Sequence, residues 1–151
     1  MSPRRGLATL VAAPLALGAV TYLLLRPGEA WFVRLLGDGA LGAPLHRLRA
    51  ATVPIGARVP SVLLGVAPDL AWALAAGALL GLVWRDRRGA AARAWYALGL
   101  AAALGFEVAQ RFHLVPGTFD PRDLVALTVG YVAGWWLATR ATHPVRASAS
   151  P

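Results

Sequence analysis

The side chains best suited to chemistry lie in two short stretches near the carboxyl-terminal end of this 151-residue chain. Glu107 and Gln110 come at the end of one long apolar run, and Asp120 and Asp123 come at the start of the next. Carboxylate and amide oxygens accept hydrogen bonds from cationic or amide-bearing groups, and carboxylates also bind Mg²⁺ and Ca²⁺. Because a charged group in or beside a lipid-spanning segment is costly, these residues are candidates for a functional site.

The composition of the chain is typical of a membrane protein. Hydrophobic residues make up 58% of it and charged residues only 15%, which is far from the balance of a water-soluble domain. The absence of cysteine excludes disulfides, thiolate metal sites and cysteine nucleophiles. The net charge of +8 comes from arginines grouped at the ends of apolar runs. Membrane topology explains arginines in those positions, so we predict no nucleic-acid partner.

The long apolar runs predict an all-α fold, a single-domain integral membrane bundle of four transmembrane helices. The predicted spans are about residues 7–25, 62–84, 94–114 and 124–139. The first run continues through Leu25 without a polar break, which favours a span over a cleavable signal peptide. The connection 26–60 is too polar to span and predicts one or two short interfacial helices, around Trp31 to Leu36 and Leu41 to Leu48. The tail 147–151 is predicted to be disordered.

The arginine distribution predicts that both termini are cytoplasmic. Arginines flank the apolar runs on the sides that face the cytoplasm in this topology, at positions 4, 5, 85, 87, 88, 93, 140 and 146. The connection between the third and fourth runs holds one arginine against two aspartates, so we place it outside. The polar residues Asp69, Glu107, Gln110, Asp120 and Asp123 then all lie near the extracytoplasmic face, which predicts a polar pocket open to the outside.

Each of these residues also has a purely structural interpretation. Asp120 precedes Pro121, as an N-cap precedes a proline in the first helical turn. Asp69 follows Pro68 and, as a carboxylate in the first turn of a helix, would face the positive end of the helix dipole. Glu107 could pair with Arg111 one turn away. For the histidine at position 113, a solvated or hydrogen-bonded side chain is a more common role than ligand binding.

In these stretches the chain resembles the VanZ-like family of bacterial membrane proteins. The resemblance rests on a Glu-x-x-Gln pair near a helix end, a Gly-x-x-Asp loop, a second aspartate and a later glycine. These residues are Glu107, Gln110, Gly117, Asp120, Asp123 and Gly130. A Pro-Asp-x-x-Trp element at 68–72, found in some relatives, extends the similarity to about residues 68–134.

The resemblance implies a multi-pass protein of the bacterial cytoplasmic membrane. We predict no cofactor. Two positions depart from the family pattern, because many members have Arg where this chain has Thr118 and Asn where it has Ala126 and Leu127. The family's namesake is associated with teicoplanin resistance, which the resemblance does not transfer to this chain.

Three hypotheses for function follow. In the first, a protein of unassigned biochemical activity binds a cell-envelope component, a lipid headgroup or wall precursor, through an outward polar site. The residues predicted to line it are Asp69, Glu107, Gln110, Thr118, Asp120 and Asp123. In the second, Glu107 and an aspartate hold a divalent cation in a small intramembrane enzyme that acts on a lipid-linked substrate. In the third, the small-residue spacings Gly77-x-x-x-Gly81 and Gly130-x-x-x-Gly134 serve a homo-oligomer or a membrane-complex assembly subunit, although packing within the chain explains them more simply.

Overall fold

The computed structural model describes residues 3–26, 33, 36–37, 39–85, 87 and 89–141. The regular secondary structure in the described part of the chain is all helical, with no strand. The helices are α1 (Pro3–Val20), which continues as a π-helical turn (Thr21–Leu25), α2 (Gly42–Gly56), α3 (Ser61–Val83), α4 (Ala90–Arg111) and α5 (Pro121–Ala141). The all-α prediction is therefore confirmed, and α2 is one of the short helices expected in the connection. The other predicted short helix and the carboxyl-terminal tail lie mainly outside the described residues.

One described helix, α3, is both long and apolar enough to cross a membrane by itself, and Thr9–Leu25 is a shorter apolar helix. The 23 residues of α3 extend for about 35 Å at the helical rise, slightly more than a hydrocarbon core. Helices α4 and α5 have comparable lengths, but arginines and acidic residues make them less apolar. The four-span arrangement thus stays a prediction.

Helices α3 and α5 form the most extensive contact in the structure and run parallel to each other. Gly130 lies against the Leu70 carbonyl, and Gly134 lies against the Leu74 carbonyl. A methyl group added at either glycine would overlap this backbone. On α3, Gly77 lies just as close to the Tyr131 carbonyl of α5, and Gly81 lies against the Ala138 side chain. The glycines of both small-residue spacings therefore lie at a helix contact within the chain's own bundle, as the simpler interpretation predicted.

Helix α4 runs back along this pair and is joined to it by tyrosine hydroxyls. The Tyr131 hydroxyl donates a hydrogen bond to the Tyr96 carbonyl at 2.9 Å. The Tyr96 hydroxyl donates to the Leu80 carbonyl at 3.2 Å, and the ring of Tyr96 lies 5.6 Å from that of Trp135. This direction brings the end of α4 to the start of α5.

Helix α1 packs antiparallel to α3 through an aromatic contact near its carboxyl end. The Trp72 side chain lies against Gly18, where an added methyl group would overlap the indole. The ring of Tyr22 lies 5.3 Å from that of Trp72. The end of α1 is thereby placed beside the first half of α3.

Helix α2 docks on the last turn of α1 and satisfies its free carbonyl groups. Arg49 is buried, with 7% of its surface exposed, and it donates to the carbonyls of Leu23 and Arg26. Thr52 donates to the Leu24 carbonyl at 2.7 Å. The last carbonyls of a helix have no partner within it, and a cation there also meets the negative end of the helix dipole. The docking is thus a helix cap supplied from another helix.

Candidate functional site

Glu107 is the most buried acidic residue that the structure describes. Its side chain is 5% exposed, and its Oε1 accepts a hydrogen bond from the Asp120 backbone N–H at 3.2 Å. No ion pair joins it to Arg111 in the described structure, and Arg111 is exposed. The predicted structural pair is therefore wrong, because the carboxylate points to the next helix and not along its own. Glu107 ties the end of α4 to the start of α5.

Gln110 holds the loop between these helices one turn further along. Gly117 has a φ of 141°, in the region that only glycine adopts readily. The Gln110 side-chain amide lies so close to Gly117 that a Cβ there would meet it at 2.5 Å. The glutamate and glutamine of the Glu-x-x-Gln pair thus hold the two later parts of the motif, Asp120 and Gly117, on one short loop.

The loop leaves α4 through a Schellman turn centred on His113. Its φ is 56°, and its N–H donates to the Gln110 carbonyl at 3.0 Å while the Leu114 N–H donates to the Ala109 carbonyl at 2.9 Å. These two bonds close the last turn of a helix around one left-handed residue. His113 is exposed and its backbone explains its position, so the structure does not bring it to the carboxylates.

Asp120 is the N-cap of α5, as its sequence context predicted. Its Oδ1 accepts a hydrogen bond from the Arg122 N–H at 2.9 Å, and its carbonyl accepts one from the Asp123 N–H at the same distance. The side-chain bond satisfies one of the free N–H groups at the start of the helix. Asp120 therefore forms hydrogen bonds on both sides, because its backbone amide donates to Glu107 Oε1 and its carboxylate accepts from the Arg122 amide of α5.

We expect Asp120→Ala to lower the free energy of unfolding by about 1 kcal/mol, because the cap is lost, whereas Asp120→Asn keeps an acceptor and is nearly neutral. Thermal unfolding in detergent, followed by circular dichroism, measures the difference. Thr118→Ala, an exposed position just before the cap, is the control. An Asp120→Asn protein as unstable as Asp120→Ala would show that the negative charge matters and not only the cap.

Asp69 lies inside α3 and not at its start. The helix begins at Ser61, so Asp69 is about two turns from the amino-terminal end. The capping and dipole interpretation of Asp69 is therefore wrong, because the apolar residues before Pro68 already belong to the helix. Asp69 is half-buried, and the charges of Asp123, Glu107 and Arg26 all act on it. An ionisable group in such a helix favours a functional interpretation more strongly than a cap would.

Asp123, which immediately precedes the apolar run 124–139, joins the same group. Burial, together with the negative charges of Glu107 and Asp120, raises the pKa of Asp123 to about 6, and the Arg26 guanidinium opposes this rise. No hydrogen bond to the carboxylate of Asp69 or Asp123 is present among the described residues. The structure thus brings together the four predicted carboxylates Asp69, Glu107, Asp120 and Asp123, with Gln110 nearby on the last turn of α4. Thr118 is exposed and forms no hydrogen bond to them.

Arg26 and Arg49 belong to this end of the bundle, although the sequence did not indicate them as site residues. The Arg26 guanidinium lies 5.4 Å from the Tyr22 ring centre, and Arg49 binds the Arg26 carbonyl. The sequence contained one signal of this docking, because Arg49, Thr52 and Gly56 share a face of α2 at helical spacing.

Across the described residues, no three or more histidine, cysteine or acidic side chains are grouped to hold a metal ion.

The fold and the site together define a small all-helical protein with carboxylates from three helices gathered at one end. The sequence profile of the VanZ/LLP1 family matches residues 10–142, and the chain belongs to that family. The match covers most of the chain and confirms the resemblance drawn from the shorter motif region. Neither the curated proteins nor the solved structures include a significant match to it.

Proposed function

We propose that this chain is a four-span protein of the bacterial cytoplasmic membrane, with both termini cytoplasmic. In this role it binds a cell-envelope component at the outward acidic site, through a cationic or amide-bearing group of a lipid headgroup or wall precursor. The observation that carries the proposal is the convergence of Asp69, Glu107, Asp120 and Asp123 from three helices at one end of the bundle. These side chains provide negative charge and hydrogen-bond acceptors for such a group.

Two features support the membrane part of the proposal. Large apolar side chains of α4 are exposed, among them Trp95, Leu98, Phe106 and Val108, and lipid would cover them. The end of the bundle opposite the carboxylates carries exposed arginines at 85, 87, 93 and 140, as expected for a cytoplasmic end. The Arg140 guanidinium lies 4.2 Å from the Trp136 ring centre, a pairing suited to a membrane interface.

The four carboxylates divide into two roles in this proposal. Glu107 and Asp120 already bind backbone N–H groups of the loop and of α5, so they hold the site in shape. Asp69 and Asp123 contact the ligand, because both are partly exposed and neither accepts a hydrogen bond among the described residues. A cation placed between them would relieve the repulsion among like charges that the site contains.

Native mass spectrometry of the detergent-purified protein tests the proposal. We expect the wild-type protein to retain a lipid or wall-precursor mass and Asp69→Asn to lose about nine-tenths of it, since one lost charge-assisted bond weakens binding about tenfold or more. Asp86→Asn removes the same charge from the connection after α3 and should retain the mass. Equal retention by Asp69→Asn and wild type would contradict the proposal. A divalent ion in place of the lipid would favour the intramembrane enzyme.

A further inference from the structure

The last turn of α1 is wound as a π-helix. The Arg26 N–H donates to the Thr21 carbonyl five residues earlier, at 3.0 Å, and Thr21 is itself buried and donates to the Leu17 carbonyl at 2.8 Å. π-Helical turns are rare, because the wider ring packs less well, and they occur often at functional positions. A π-turn at a helix end therefore needs support from outside the helix.

Helix α2 provides this support through side chains that bind three carbonyls of one turn. Arg49 donates hydrogen bonds to the carbonyls of Leu23 and Arg26, and Thr52 donates one to the Leu24 carbonyl between them. Gly56 lies directly against the Leu25 backbone, where a Cβ would overlap the carbonyl. A guanidinium can bind two acceptors at once because its donors form a planar fork, whereas a lysine ammonium is a compact point charge on a flexible stem.

The same turn carries the side chains that lie beside the acidic site. The Arg26 guanidinium lies 5.4 Å from the Tyr22 ring centre, and the Tyr22 ring lies 5.3 Å from that of Trp72. Trp72 follows Asp69 by three residues on α3 and so shares its face. The position of Arg26 next to this face is thus set by the winding of the turn, and the winding is held by α2.

We propose that α2 is a clip on the end of α1, in which Arg49 is a positioning residue that keeps the π-turn wound and holds the Arg26 guanidinium beside the Asp69 face of α3. Opening of the clip unwinds the turn and withdraws Arg26. For its effect on ligand binding, this inference rests on the proposed function. A cationic group that approaches Asp69 competes with Arg26 while the clip is closed, and it meets the uncompensated carboxylates when the clip is open.

Hydrogen exchange and arginine modification of the full-length protein in detergent test the clip. The variants are Arg49→Met, which removes the fork, Arg49→Lys, which keeps the charge without the fork, and Arg47→Met, an exposed control on the same helix. In Arg49→Met we expect amide exchange in residues 21–26 to rise about tenfold or more, while exchange in 121–141 stays unchanged. Phenylglyoxal should modify Arg26 severalfold faster, and Arg49→Lys should behave like Arg49→Met.

Each outcome decides the inference. Amide exchange that stays unchanged in residues 21–26, or that rises equally in every helix of Arg49→Met, would overturn the inference. Faster exchange in residues 21–26 without faster modification of Arg26 by phenylglyoxal would overturn it as well. Full rescue by Arg49→Lys would overturn the role of the guanidinium fork. If Arg49→Met does not fold, Thr52→Val removes one of the three bonds and should show a smaller rise confined to the same residues. If Arg49→Met opens the clip but Asp69→Asn retains as much lipid as wild type, the inference about the clip stands and the proposed function is contradicted.

Discussion

Gly77→Ala is expected to lower the free energy of unfolding by about 2 to 3 kcal/mol, near the upper end of the usual cost of overpacking. The added methyl group would overlap the Tyr131 carbonyl and lie 3.1 Å from the Trp135 nitrogen. Both are backbone atoms of α5, so no side chain can rotate away and the two helices must separate. Unfolding by a denaturing detergent in mixed micelles, followed by circular dichroism, measures the loss.

Gly65→Ala is the matched control, because it makes the same change on the same helix. Nothing lies within 4 Å of a Cβ built at Gly65, so alanine there should be neutral or stabilise α3 by up to about 1 kcal/mol. Equal destabilisation by the two substitutions would contradict the close packing of α3 on α5. A Gly77→Ala protein that stays folded but changes its oligomeric state would instead favour the assembly hypothesis.

The sequence predicted the helices well where an apolar run ends at a clear local break. The predicted span 62–84 differs from the observed Ser61–Val83 by one residue at each end, because Pro60 precedes the run and arginines follow it. Helix α4 was predicted less accurately. It starts at Ala90, since Arg93 fits a helical turn as well as a loop, and it ends at Arg111 although Phe112 and Leu114 continue the apolar pattern.

The end of α4 could not be predicted because the residue that closes it is not a glycine. His113 adopts the left-handed conformation that usually identifies a helix end through glycine or asparagine. The π-turn of α1 is a similar case. Its residues, Thr21–Leu25, are an apolar run without a local signal, and the bonds that support the turn come from a helix more than 20 residues away.

The grouping of Glu107, Asp120 and Asp123 was predictable because consecutive helices joined by a short loop must bring these ends together. The hydrogen-bond partners of these residues were not predictable in the same way. Helical spacing offered Arg111 as a possible structural partner of Glu107, whereas the structure pairs Glu107 with the Asp120 amide. The role of Arg26 and Arg49 depends on the docking of α2, a long-range contact that residue spacing within one segment does not reveal. Asp69 was misplaced because Pro-Asp is a common helix start, and here the apolar turns before it extend the helix.

Glu107→Leu is expected to lower the free energy of unfolding by about 2 kcal/mol. Leucine fills much of the same volume but cannot accept a hydrogen bond, so the Asp120 N–H at the start of α5 loses its partner. The link between α4 and α5 then depends on the Gln110 contact with Gly117. Thermal unfolding in detergent measures the loss, and the amide exchange of Asp120 should rise in the same variant because its N–H is no longer bonded.

Glu107→Gln separates the acceptor from the charge. Its side-chain carbonyl can take the place of Oε1, so we expect a cost below about 1 kcal/mol, the difference between a charge-assisted and a neutral hydrogen bond. If Gln and Leu were equally destabilising, the negative charge of Glu107 would matter more than its bond to the loop. If Leu were as stable as wild type, Glu107 would not tie α4 to α5, and its burial would have to serve the ligand. The two substitutions therefore decide whether the most buried carboxylate of the site shapes the loop or binds the ligand itself.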